Sequence, residues 1–154
     1  MKNETIRWKS RFNGDFHPKY IEFIDLISKQ KEFMEKEVFD VEFCMFFVTR
    51  FMKLFFATIK VLREFMQYQG IFQVDAREVI KESFSIEIIE DGQGWIDMMY
   101  DVNRFQTKIP EKEDLELIIN KYFILISKIN EYLEKKYGEW WKINILELVN
   151  LLLI

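Results

Sequence analysis

The side chains with the most capacity for chemistry in this chain are carboxylates. Glu90, Asp91, Asp97 and Asp101 form the densest group, and Asp97 and Asp101 stand four residues apart. That spacing puts both on one face of a helix. Two such oxygen donors could contribute to a divalent-cation site. A solvated acidic face, with Asp91 capping a helix, is the simpler expectation, and no metal is expected. The one histidine, His17, stands just before Pro18 and reads as a residue that caps or packs at a helix start. The one cysteine, Cys44, lies in an apolar run and reads as a small buried hydrophobe. One isolated His and one buried Cys do not make a Ser-His-Asp or Cys-His nucleophile. There is no Cys/His cluster of zinc type and no Gly-rich phosphate loop. No cofactor is expected.

The elements that must position these groups are helical. Residues 41–70 hold Phe43, Met45, Phe46, Phe47, Val48, Phe51, Leu54, Phe55, Phe56, Ile59, Leu62, Phe65 and Met66. Only a narrow polar stripe remains: Glu42, Thr49, Lys53, Lys60, Glu64 and Gln67. The spacing predicts a central helix wrapped by its neighbours and stopped at Gly70. Before it, Pro18 opens a helix expected to reach Glu37. After it, Asp75 and Glu78 resemble a capping box for a helix expected to end in the run Ser85–Ile89. Asp91-Gly92 is a turn, with Asp91 capping a helix that carries Trp95, Ile96, Met99 and Val102. Pro110 marks the next start. Over 111–137, Leu115, Ile118, Tyr122, Leu125, Ile129 and Tyr132 repeat at three- and four-residue steps, and Gly138 ends the helix. The tail from Glu139 to Ile154 is apolar, and reads as a short helix on the bundle or a strip buried against another protomer.

Composition agrees with one all-α domain over 1–154. The chain has 154 residues, 16 Phe, only 5 Gly and 2 Pro. That leaves little material for the tight turns of an all-β fold. The net charge is −4 with both signs interspersed, so the electrostatic footprint of a general nucleic-acid binder is missing. The start, MKNETIRWKSRF, has two aromatic anchors, Trp8 and Phe12, and lacks the apolar core of a signal peptide. No stretch reads as a membrane span, and a cytoplasmic location is expected.

Two stretches resemble a known family. Arg50-Phe51, Phe55, Lys60, Leu62 and Gly70-Ile71 look like its second helix. Arg77-Glu78-Val79-Ile80-Lys81-Glu82-Ser83-Phe84, then Ile89-Glu90-Asp91-Gly92, Trp95-Ile96-Asp97-Met98-Met99 and Asp101-Val102-Asn103 are similar to its run REVIREAF…LIxDGxxWLxMLxDRN. Arg7-Trp8-Lys9 with Arg11-Phe12 resembles its start. This is the nucleotidyltransferase substrate-binding-protein-like family of the HEPN superfamily. The resemblance covers about residues 5–137, leaving 138–154 as an apolar C-terminal extension. It implies an up-and-down four-helix bundle with a short extra helix. It also implies a homodimer, a nucleotidyltransferase partner, toxin–antitoxin pairing, and transient contact with nucleotide or RNA. Active members are ribonucleases whose Arg and His, spaced Arg-x4-6-His, bind the scissile phosphate and move protons. A Tyr two residues after that His can accept AMP.

This chain departs from the pattern at those positions. The family's DRNxxxHxY falls on Asp101 to Ile109, which puts Val102 at the Arg, Thr107 at the His and Ile109 at the Tyr. Asp101 and Asn103 remain, with Arg104 and Lys108 as nearby charges. Arg11 and His17 have a matching spacing but sit in a bend. The resemblance therefore implies a non-catalytic helical partner of a nucleotidyltransferase. The competing expectation is a ribonuclease with a divergent site built from Asp101, Arg104 and Lys108, or from His17.

Overall fold

The computed structural model describes residues 16–29, 40–72 and 75–137, and every regular element among them is helical. Helix α1 occupies 16–29. Pro18 lies within it, three residues into the described stretch. Helix α2, Val41–Tyr68, starts at Asp40, whose carboxylate accepts from the Phe43 N–H at 3.2 Å. That cap is the boundary signal a search for Gly or Pro misses. The helix closes as expected at Gly70. Its φ is +82°, and the Ile71 N–H donates back to the Met66 carbonyl at 2.9 Å in a Schellman-type end.

Helix α3, Ala76–Ser85, is capped by Asp75, which accepts from the Glu78 N–H at 2.8 Å. The expected extension through Ile89 does not form. Glu87 turns into left-handed backbone at φ 65°, and the N–H groups of Ile88 and Ile89 both donate to the Ser83 carbonyl. The turn drives Ile88 and Ile89 into the core, so the β-branched run plugs the bundle instead of lengthening the helix. Helix α4, Gly92–Phe105, is capped by Asp91, which accepts from the Gly94 N–H at 2.9 Å.

The expected helix over 111–137 is α5, Lys112–Leu117, and α6, Phe123–Tyr137, joined by a π turn at Ile118–Tyr122. There the Phe123 N–H reaches the Ile118 carbonyl, a wider i→i+5 loop. The seam residues Leu115, Ile118, Tyr122, Leu125 and Ile129 are buried across it.

Aromatic contacts order the bundle. Phe23 of α1 packs on Phe47 and Phe51 of α2, with ring centres 5.0 and 5.8 Å apart, and on Phe123 at 5.5 Å. Phe51 with Tyr122 and Phe65 with Tyr132 advance together, so α2 and α6 run the same way. Helix α1 runs opposite to both: Glu22 meets Arg50 while Phe23 meets Phe47, and His17 lies by Asn130 while Tyr20 packs on Phe123. The result is an all-α, up-and-down bundle in which α3 is the short extra helix. Helix α2 is less fully wrapped than its sequence suggests: Met45 and Phe56 are 50% and 48% exposed, and Phe46 is also exposed. No helix among the described residues is long and apolar enough to cross a membrane. Trp8, Arg11, Phe12, Gly138 and the apolar tail lie outside the described residues.

Candidate functional site at the end of the fourth helix

The family motif positions occupy the last turn of α4 and the loop after it, and their environments differ sharply. Val102 is 0% exposed, inside the core beside the likewise buried Met98 and Phe105. An arginine there would have to bury its charge. Thr107 is on the surface, and its hydroxyl donates to the Arg104 carbonyl at 3.3 Å. Ile109 is 71% exposed. Asn103 and Lys108 are exposed.

Asp101 and Arg104 lie three residues apart on α4 and meet. Arg104 Nε donates to Asp101 Oδ1 at 3.3 Å, and its Nη2 donates to Asp114 Oδ1 at 2.7 Å. The second oxygen of Asp101 accepts from the Tyr122 hydroxyl. The second oxygen of Asp114 accepts from the Glu111 N–H at 2.8 Å, at the start of α5. Each oxygen of both carboxylates thus has a donor. One guanidinium sits between two carboxylates and joins α4, α5 and the π turn.

Electrostatics follow the geometry. The hydrogen bond that Arg104 donates to Asp114, with the charges of Asp114 and Asp101, holds its guanidinium above its ordinary value against the opposing pull of burial. Burial, then the bond to Asp101, pushes the Tyr122 phenol well above the usual tyrosine range. Neither group is poised to give or take a proton near neutrality. The arrangement is a clamp between helices, with no guanidinium left uncommitted for a phosphate.

The expected acidic face is likewise engaged. Asp97 accepts from Gln93 Nε2 at 2.8 Å and lies 3.7 Å from Lys121 Nζ. Asp97 and Asp101 share a face as the spacing requires; Asp97 stays 43% exposed, in keeping with a solvated face, whereas Asp101 turns inward to Arg104 and Tyr122. Asp91 is occupied as a cap, and Glu90 lies 4.0 Å from Lys128 at the rim of a cleft of about 240 Å³. Trp95, Leu125, Ile129 and Tyr132 line that cleft. No group of three metal-capable side chains occurs among the described residues.

His17 is far from this cluster. It is 4% exposed, on α1, with the Asn130 side chain of α6 beside it. Burial pulls its imidazole down to about 4, opposed by the nearby Asn130 amide. The structure does not bring His17 to Arg104, so the two halves of the ribonuclease expectation do not share a site. Cys44 is buried, and its thiol is pushed up to about 11 by burial and by Asp40. That makes it inert, as its sequence context predicts.

Sequence reasoning missed Asp114 and Tyr122. Asp114 was legible only as an acid in a helix's first turn, and Tyr122 only as a seam residue. The signal for Asp114 was its place three residues after Glu111, in capping-box spacing.

The bundle and its half-buried ionic clamp define a helical scaffold whose polar contacts hold helices together. The chain belongs to the family described as nucleotidyltransferase substrate binding protein like, whose model matches residues 47–135. The match runs from within α2 to the last turn of α6 and includes the clamp; the resemblance read over residues 5–46 lies outside it. No curated protein and no solved structure matches the chain.

Proposed function

We propose that this chain is a non-catalytic, helical binding subunit of a minimal nucleotidyltransferase, acting as a homodimer within a toxin–antitoxin pair. In this reading 1–154 is one helical domain, and any contact with nucleotide or RNA is transient. Family membership supports the partner class. The observation that carries the non-catalytic part is the double engagement of Arg104 by Asp101 and Asp114. A ribonuclease working without metal needs a cation free to meet phosphate and a group that titrates near neutrality. Here the cation is held by carboxylates, and the buried imidazole lies on other helices.

The test is titration calorimetry of the purified full chain with a minimal nucleotidyltransferase from the same genome, alongside cleavage of a fluorescently labelled RNA. Saturable binding at one enzyme per chain or per dimer, with intact RNA, is expected. RNA cleavage that disappears in Arg104→Ala would instead establish the divergent ribonuclease.

A further inference from the structure

Helix α2 presents an outer stripe that its own bundle leaves uncovered. Val41, Met45, Thr49, Met52 and Phe56 follow one another at four-, four-, three- and four-residue steps, so they line one edge of the helix. Val41, Met45 and Phe56 are exposed and Met52 is half-buried. The Thr49 hydroxyl donates to the Met45 carbonyl at 2.7 Å, which leaves its methyl as the outward group. Toward the C-terminus the same edge turns polar, through Lys60, Arg63 and Gln67. The apolar part is therefore bounded along the helix.

The pattern of this edge is self-complementary. Laid antiparallel on an identical copy, Val41 faces Phe56 and Met45 faces Met52, and both pairings are centred between Val48 and Thr49. A two-fold axis at that point maps each flank of the helix onto the same flank of the copy. On the flank beside the stripe lie Glu42 and Lys53, both exposed and opposite in charge, and their midpoint falls within one residue of the axis. Each would meet the other's counterpart, twice by symmetry. Apolar matching and charge matching thus select the same register.

We propose that this edge of α2 is the homodimer face, two copies packing antiparallel about an axis near Thr49. The proposal rests on the homodimer reading above and adds its location. The dimer buries the apolar stripe and closes two Glu42–Lys53 pairs at its rim.

Sedimentation velocity of the full chain over a range of concentrations tests it. Wild type is expected to be dimeric. Met45→Glu places a charge in the apolar contact twice, and is expected to weaken self-association by about a hundredfold or more with an unchanged far-UV spectrum. Glu42→Lys and Lys53→Glu singly should each weaken it by about tenfold, and the double reversal should restore it. Thr49→Cys should oxidise to a disulfide-linked dimer, whereas Gln67→Cys should not. A dimer indifferent to Met45→Glu and not cross-linked through position 49 would overturn the face while leaving the homodimer standing. A chain monomeric at every concentration would overturn both. A monomer whose melting temperature falls in Met45→Glu would show that a segment of its own chain covers the stripe.

Discussion

Among the described residues, two groups of polar side chains inside this bundle are held in opposite ways. At the end of α4, Asp101, Arg104, Asp114 and Tyr122 form a chain of charge-assisted bonds that reaches the backbone at Glu111. Between α1 and α6, His17 is kept neutral against Asn130, whose amide in turn donates to Glu134 at 3.4 Å. The first arrangement holds its charges by pairing them. The second holds a titratable group by refusing it a charge. Charged networks of the first kind tolerate pH changes near neutrality but not the loss of a member; the second kind is the reverse.

The strongest way to break this contrast is to put the motif arginine back. Val102→Arg buries a charge where neither arrangement can receive it. It should cost at least about 4 kcal/mol, leaving a chain without a cooperative urea transition. Thr107→His added to it should not create a nuclease, since Thr107 is on the surface and Val102 is in the core.

Acid should act on the His17 side. The folded imidazole titrates at about 4, against an ordinary value of 6.5 when unfolded. The unfolded chain thus binds the proton first as pH falls, and stability from this group is complete above 6.5 and drains away toward 4. The total is roughly 3 kcal/mol. Urea midpoints between pH 7 and 4 should fall more steeply in wild type than in His17→Leu. Equal slopes would mean that the imidazole is not what acid reaches.

Breaking the clamp should have a smaller effect. Arg104→Ala leaves the buried Asp114 carboxylate with its backbone donor alone and should cost about 2 kcal/mol by urea denaturation. A neutral result would reassign the clamp as a surface pair. Smallest of all, Tyr122→Phe removes one donor from Asp101 and should cost about 1 kcal/mol. If it cost as much as Arg104→Ala, the hydroxyl would be as important to the clamp as the guanidinium.

These particulars also show what was readable in the residues. The bundle followed from periodicity, because burying Phe47, Phe51, Leu54 and Phe55 on one side of α2 requires helical spacing whatever surrounds it. The caps at Asp75 and Asp91 followed from local chemistry. The end of α3 did not, because Ser85–Ile89 has no breaker, and the left-handed turn at Glu87 is set by the burial of Ile88 and Ile89. The loss of the motif at Val102 and Thr107 was visible letter by letter. The clamp was not, since Arg104 and Asp114 stand ten residues apart and meet only through the turn between α4 and α5. The exposure of Met45 and Phe56 was hidden because apolar residues at helical spacing look the same whether covered or bare.

The π turn at Ile118–Tyr122 has a consequence for comparing related chains. Its i→i+5 bond accommodates one residue more than an ordinary helical turn. A relative lacking one of the residues between Ile118 and Tyr122 could run an unbroken α-helix there and still present Leu115 and Ile129 to the same side. Alignments of such chains should therefore admit a single-residue gap within this helix. Forcing continuity would displace α6 by one position and exchange its buried residues for solvent-facing ones.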